Sequence, residues 1–146
     1  IADEPPTNLD VTTQREYMKL LRQIQSKTGV AILFITHDFG LVAKLCHRVA
    51  VMYAGRIVEG GIARDIFSSP KHPYTVGLID CLPDMSGNQS RLAHIAGSIP
   101  SLIDPPSGCH FHPRCPRVMP ICPRDDPQEK TLPDGRIVFC HLYDDL

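Results

Sequence analysis

The feature that most constrains the fold is an unbroken apolar run, Val30-Ala31-Ile32-Leu33-Phe34-Ile35. It follows a stretch, residues 10–27, in which apolar side chains recur at near-helical spacing, with Asp10 at its start and Gly29 just past its end. A short, β-branched run without polar alternation is typical of a strand that is covered on both faces, as in parallel sheets. The order of helix and buried strand therefore predicts an α/β domain with a parallel sheet.

Shorter elements are predicted after this strand. Helices are predicted at residues 39–46, 63–67 and 72–81. Strands are predicted at residues 48–53 and 56–59, joined through Ala54-Gly55 as a hairpin, with further short strands within residues 91–102 and 135–140. Residues 104–135 are expected to form mostly loops.

Proline and cysteine are distributed unevenly along the chain. Twelve of the 14 prolines lie at or after Pro70, and four of the six cysteines lie between Cys109 and Cys140. We therefore expect an α/β region at residues 1–70 and a small, irregular, Cys-rich extension at residues 71–146. Because the chain opens within an apparent strand and has no initiator methionine, we expect it to be the back part of a longer protein.

The charge balance argues against one class of partner. Lys and Arg number 15 against 16 Asp and Glu, which gives a formal net charge of −1. A dedicated nucleic-acid binder should be clearly basic, so we expect no nucleic-acid partner. No apolar run in the sequence approaches the roughly 20 residues that span a bilayer.

Two polar motifs are expected to meet at one edge of the sheet. Asp3-Glu4 directly follows the first strand, and His37 comes just after the second. A parallel strand that returns after a crossover helix ends at the same edge, where ligands of open α/β sheets bind. Adjacent carboxylates suit phosphoryl chemistry, because one can serve Mg²⁺ while the next orients or deprotonates an attacking water.

At these motifs the sequence resembles the ATP-binding subunits of ABC transporters. The resemblance is carried, in order along the chain, by Ile1-Ala2-Asp3-Glu4-Pro5 (Walker B), Asn8-Leu9-Asp10 (D-loop), Thr36-His37-Asp38 (switch histidine) and the hairpin at residues 48–59. It implies the C-terminal part of a P-loop ABC ATPase domain, a parallel sheet with flanking helices. It also implies that Asp3 serves Mg²⁺, Glu4 is the general base for ATP hydrolysis, His37 contacts the γ-phosphate, and Asp10 reaches the partner's nucleotide across a dimer interface.

The phosphate-binding loop of such ATPases does not occur in these 146 residues. Neither G-x-x-x-x-G-K-[ST] nor the L-S-G-G-Q signature is present. That loop supplies the backbone cradle and the lysine for the nucleotide phosphates. We therefore expect that the chain alone does not hydrolyse ATP. We expect this activity to belong to a longer parent protein.

Four cysteines form a second group of candidate ligands. Cys109, Cys115, Cys122 and Cys140 give the spacing C-x5-C-x6-C-x17-C. Disulfides need an oxidising compartment, which does not suit the ATPase-like first half. A Cys₄ zinc site usually has tighter pairs, whereas a [4Fe–4S] cluster also takes four thiolates and tolerates looser spacing. Spacing alone leaves zinc and iron–sulfur equally open.

The second half also resembles a known region, the C-terminal extension of oligopeptide and dipeptide importer ATPases. The resemblance is carried by His72-Pro73-Tyr74-Thr75, by Gly97-Ser98-Ile99-Pro100-Ser101-Leu102, and by the Pro- and Cys-rich stretch at residues 105–116. Proteins of that group have four such cysteines, which hold a [4Fe–4S] cluster in some members. The resemblance therefore implies a metal-bound extension, with a [4Fe–4S] cluster as the first interpretation and Zn²⁺ as the second.

Together the resemblances imply an ATP-hydrolysing subunit that energises peptide import at the cytoplasmic face of the bacterial inner membrane. The implied partners are a second ATPase subunit, identical or related, two transmembrane permease subunits and, indirectly, a peptide-binding protein. Two other functions stay open. One is a non-transport ABC ATPase, and the other is a metal-binding interaction module formed by this fragment alone.

Overall fold

Residues 1–46 form the first of two compact units in the computed structural model, which describes residues 1–5, 9–82 and 94–145. Helix α1 (Val11–Thr28) begins at Asp10, whose Oδ1 accepts two N–H groups of the first turn at 3.0 Å. It ends at Gly29, which adopts a left-handed conformation with φ of 69°. A second helix, α2 (Phe39–Leu45), also forms where it was predicted.

Two short strands of this unit pair in parallel. Strand β1 (Ala2–Asp3) lies beside β2 (Phe34–Ile35), with Ala2 opposite Phe34. The predicted strand at residues 30–35 is shortened to its last two residues, because β1 offers only two residues to pair with. The expected burial on both faces is not observed either. Leu33 is 58% exposed, and within residues 1–5 and 9–46 only Met18 is buried, since a two-stranded sheet has few neighbours to cover it.

Residues 47–146 form the second unit, around a four-stranded antiparallel sheet. Its strands are β3 (Arg48–Tyr53), β4 (Arg56–Ile62), β5 (Glu129–Thr131) and β6 (Ile137–Phe139). The predicted β3–β4 hairpin is confirmed, and so is a hairpin near the C-terminus. Strand β5 lies where a loop was expected, and its partner β6 also pairs with β4, which gives the order β3-β4-β6-β5.

Helices of the second unit are short. Within residues 47–82 and 94–145 they are α3 (Ala63–Ser68), α4 (Pro73–Asp80) and two 3₁₀ turns, His112–Arg114 and His141–Tyr143. Both α-helices occur where they were predicted. The strand expected within residues 91–102 is absent from residues 94–102, and residues 91–93 lie outside the described residues. No helix in the described parts of the chain combines the length and the apolar character that crossing a membrane requires.

One hydrophobic core joins the β3–β4 hairpin to the Cys-rich segment, residues 109–140. Its buried members are Val51, Tyr53, Val58, Ile66 and Phe111. Close approach of the C-terminal hairpin to β4 depends on a glycine, because a Cβ at Gly61 would lie 2.5 Å from Cγ of Arg136. Residues 47–70 thus belong to the same compact unit as the extension. The domain boundary predicted at residue 70 stays a prediction about the domains of the whole protein.

Candidate functional site

The first candidate site lies where β1 and β2 end. Glu4 follows β1 directly, and its N–H donates to the carbonyl of Ile35 at 2.9 Å. Its Oε1 accepts two hydrogen bonds from His37, one from the main-chain N–H at 3.1 Å and one from ring Nδ1 at 2.8 Å. Because an ionised carboxylate can only accept, Nδ1 carries the proton in this contact. The predicted meeting of Glu4 and His37 at one edge of the sheet is confirmed.

This contact is open to solvent and lies on an unusual backbone. The side chain of His37 is 84% exposed and that of Glu4 is 36% exposed, so the pair adds at most about 1 kcal/mol to stability. Glu4 has a φ of 42°, a left-handed conformation that costs a residue other than glycine on the order of 1 to 3 kcal/mol. A weak, exposed hydrogen-bonded contact at a strained position contributes more to geometry than to stability, which is typical of functional sites.

Asp3 and Asp10 have different local surroundings. Asp3 is the exposed last residue of β1. Asp10 is the N-cap of α1, and the hydroxyl and N–H of Thr13 hold the pKa of its carboxyl below the usual range. Over the described ranges, no group of three or more His, Cys, Asp and Glu side chains could hold a metal ion. The Mg²⁺ role of Asp3 and the cross-dimer role of Asp10 stay predictions, and Asn8 of the predicted D-loop lies outside the described residues.

Two residues beside His37 have contacts that sequence reasoning missed. The hydroxyl oxygen of Thr36 accepts the N–H of Asp38 at 3.1 Å. Asp38 in turn accepts the N–H of Leu41 with its Oδ1, also at 3.1 Å, and so caps the start of α2. The signal that was available is an Asp immediately before an apolar helical segment, which is a common N-cap pattern.

The second candidate site is the four-cysteine segment. Cys122 and Cys140 are buried, Cys109 and Cys115 are half-buried, and all are free thiols. The N–H of Cys109 donates to the carbonyl of Cys122 at 2.9 Å. This approach requires Gly108, which has a φ of 64°, because a Cβ there would lie 2.3 Å from the same carbonyl oxygen. The chain thus brings the first and third of these cysteines together.

Burial and the neighbouring thiols raise the pKa of three of these cysteines. Burial raises the pKa of Cys109, Cys115 and Cys140, that of Cys140 to about 11. The thiols of Cys109, Cys115 and Cys122 raise the pKa of Cys140 further. Four cysteine thiols are the donor set that a four-thiolate centre uses. The predicted metal site itself is not shown, because no such group in the described residues is arranged to hold an ion.

Two histidines of the Cys-rich segment form hydrogen bonds with main-chain carbonyl groups. Ring Nδ1 of His110 donates to the carbonyl of Ala54, and ring Nδ1 of His112 donates to the carbonyl of Cys109, each at 3.0 Å. These bonds tie the Cys-rich segment to the β3–β4 turn and to itself. In this structure both histidines therefore have structural contacts.

Comparison with known proteins matches both halves of the chain. Residues 58–122 match the family described as "Oligopeptide/dipeptide transporter, C-terminal region". The sequence is 47% identical over 144 residues to the dipeptide transport ATP-binding protein DppD of Bacillus subtilis (strain 168), which is 99% of this chain and 43% of the relative. It is 45% identical over 141 residues to DppD of Escherichia coli (strain K12), which is 97% of this chain and 43% of that protein.

A relative of a different name matches as well. The oligopeptide transport ATP-binding protein OppD of Salmonella typhimurium is 46% identical over 140 residues, 96% of this chain and 42% of the relative. The chain thus spans less than half the length of the curated relatives it matches. The resemblance drawn from the sequence is confirmed: over nearly its whole length, the chain is similar to the ATP-binding subunits of dipeptide and oligopeptide transporters.

Proposed function

We propose that the chain is part of an ATP-hydrolysing subunit that energises the import of dipeptides or oligopeptides across the bacterial inner membrane. The observation that carries the proposal is the contact of Glu4 Oε1 with the main chain and the ring of His37, at the carboxyl ends of two parallel strands. The similarity to transport ATP-binding proteins over 96–99% of the chain supports the substrate class.

In this function Glu4 accepts the proton of the water that attacks the γ-phosphate of ATP. In the structure His37 holds that carboxylate through its main-chain N–H and its ring Nδ1–H. A ring N–H is the group that would donate to an oxygen of the γ-phosphate. Asp3, at the end of β1, would hold Mg²⁺ through a carboxylate oxygen, the ligand that this cation prefers. When bound, Mg²⁺ neutralises charge on the β- and γ-phosphate oxygens.

The remaining parts of the function come from outside this chain. The phosphate-binding loop would be supplied by the rest of the parent subunit, and Asp10 would approach the nucleotide of a second ATPase subunit. Two transmembrane permease subunits would hold the pair at the cytoplasmic face of the membrane, and a peptide-binding protein would deliver the cargo. Because no phosphate-binding loop occurs in the sequence, the 146 residues alone should show no ATP turnover.

The test is Glu4→Gln in the complete subunit. Glutamine keeps an Oε1 that accepts both His37 bonds but takes no proton, so ATP binding should persist while turnover falls by about 100-fold or more. Near-normal turnover would contradict the role of Glu4. Peptide uptake by the whole transporter in proteoliposomes tests the other half of the proposal, and ATP turnover without any peptide uptake would favour the non-transport ATPase.

We also propose that Cys109, Cys115, Cys122 and Cys140 hold a metal centre in the parent protein, a [4Fe–4S] cluster or, as the alternative, Zn²⁺. The support is the set of four free thiols in one compact unit, with the Cys109 N–H bound to the Cys122 carbonyl. When bound, a metal centre would order the Cys-rich segment by cross-linking it. Iron, acid-labile sulfide and zinc should be measured on protein purified without oxygen: about four iron and four sulfide per chain indicate the cluster, and one zinc indicates the alternative.

A further inference from the structure

His37 lies between two side chains that bind the main chain around it. On one side, the Thr36 hydroxyl oxygen accepts the N–H of Asp38, and on the other, Asp38 Oδ1 accepts the N–H of Leu41. Both bonds are partly buried, whereas the side chain of His37 is 84% exposed. The backbone of this segment is therefore fixed by its own neighbours, whereas the exposed imidazole has space to turn once its Nδ1 contact with Glu4 breaks.

The main chain of this segment also binds Glu4, in addition to the imidazole ring. The main-chain N–H of His37 reaches Oε1 at 3.1 Å, the same oxygen that the ring contacts at 2.8 Å. A ring can rotate towards another partner about its side-chain torsions, and the N–H contact survives that rotation because it belongs to the backbone. The orientation of Glu4 thus has a donor that does not depend on where the imidazole points.

We propose that Thr36 and Asp38 are positioning residues for Glu4: they hold the His37 N–H against Oε1, so that Glu4 stays aligned when the imidazole turns to the phosphate. The inference rests on the proposed function, and it adds two roles that the resemblance does not assign. The backbone of Glu4 supports it. A left-handed φ of 42° at a glutamate persists only where its surroundings fix it, and here the Ile35 carbonyl and the His37 N–H do so from both sides.

The test compares matched variants of the complete subunit in its transporter assembly. Asp38→Ala and Thr36→Val remove the acceptor, whereas Asp38→Asn and Thr36→Ser retain one. We expect the first pair to lower kcat about fivefold to tenfold with little change in KM for ATP, because they act through Glu4 and not on nucleotide binding. The second pair should keep kcat near the wild-type value.

A control variant separates positioning from general loss of turn structure. Ser101 Oγ accepts the N–H groups of Ile103 and Asp104 in the same kind of local turn, in the other unit of the chain. Ser101→Ala should leave kcat unchanged. Thermal unfolding of every variant identifies any that fails to fold, and Thr36→Val then tests the proposal if Asp38→Ala is unstable.

A double-mutant cycle with Glu4→Gln decides whether Asp38 acts through Glu4. In a single-turnover assay, Asp38→Ala should not lower the residual rate of the Glu4→Gln protein. The proposal is overturned if Asp38→Ala lowers that residual rate by the same factor, if it leaves wild-type kcat unchanged, or if Asp38→Asn is as damaging as Asp38→Ala. Failure of the proposed function is a separate result, visible earlier as no turnover by the wild-type subunit or full turnover by Glu4→Gln.

Discussion

Phe111, between two cysteines of the extension, packs edge-on against Tyr53 of strand β3, with ring centroids 5.1 Å apart at 81°. Tyr74 of α4 adds a third ring, 5.4 Å from Phe111. Because edge-to-face aromatic contacts are favourable beyond the area they bury, this cluster helps to hold the hairpin and the Cys-rich segment together.

Removing that link should destabilise the whole second unit. Phe111 is 2% exposed, so Phe111→Ala should lower the free energy of unfolding by about 3 to 5 kcal/mol, through lost burial and a cavity. Urea denaturation followed by fluorescence measures the change. Val118→Ala is the control, because Val118 is 50% exposed and its truncation should cost less than about 0.5 kcal/mol. Similar losses for the two variants would contradict the assigned core.

Buried His72 should make the protein sensitive to mild acid. Burial lowers the pKa of His72 to about 4, and its Nδ1 accepts the N–H of Tyr74, so the folded protein holds it neutral. Between pH 6.5 and 4 the unfolded chain binds a proton there that the folded chain does not. The free energy of unfolding therefore has its full contribution from neutral His72 above pH 6.5. That contribution is lost as the pH drops through this window, by up to about 3 kcal/mol.

The matched control for this pH dependence is His72→Asn. Asparagine at the N-cap of α4 still accepts a main-chain N–H but has no titrating proton. Unfolding free energies at several pH values should show a shallower acid slope for the variant, since every other ionisable group is unchanged. Parallel slopes for both proteins would rule out His72 as the source.

Metal loading should depend on four of the six thiols. We expect Cys122→Ser and Cys140→Ser to lose the metal content of the parent protein, because each removes one of four soft ligands. Cys46→Ser is the control, since Cys46 is the C-cap of α2 in the other unit. Elemental analysis and the visible absorption of protein purified without oxygen give the readout. Unchanged loading in the first two variants would exclude the proposed centre.

Asp10 caps helix α1, and one pair of variants can separate this role from the proposed contact with the partner's nucleotide. Asp10→Ala removes the cap of α1 and should cost about 1 kcal/mol of stability, whereas Asp10→Ser keeps a cap and should cost little. If Asp10 also reaches the partner's nucleotide, both variants should lower ATP turnover of the complete subunit. Normal turnover by Asp10→Ser would confine the residue to helix capping.

The contact between Glu4 and His37 at the edge of the sheet could be predicted, because the order of strand, helix and strand determines it. A helix between two parallel strands returns the chain to the same edge, so the residues after β1 and β2 had to meet. The supporting bonds of Thr36 and Asp38 depend on local side-chain geometry that a hydrophobic pattern does not report. The same holds for the left-handed backbone of Glu4.

The position of the C-terminal hairpin could not be predicted, because it depends on contacts between distant residues. Val138 pairs with Glu59, nearly 80 positions earlier, and periodicity carries no information about such pairs. Glu59 itself looks like a solvent-facing strand residue. It is fully buried because its carboxylate accepts the N–H groups of Lys71 and His72 at 2.9 and 2.8 Å, with Arg136 at 3.9 Å.

The pairing of β6 with β4 limits where the C-terminal extension can be exchanged between related proteins. A chimera joined at residue 70 would separate Gly61 from the Arg136 that packs over it, and would leave the buried carboxylate of Glu59 facing a foreign strand. A junction upstream of His47 transfers the β3–β4 hairpin, helices α3 and α4 and the Cys-rich segment together. The transferable module is therefore the whole of residues 47–146, and grafts of that length should fold where shorter ones aggregate.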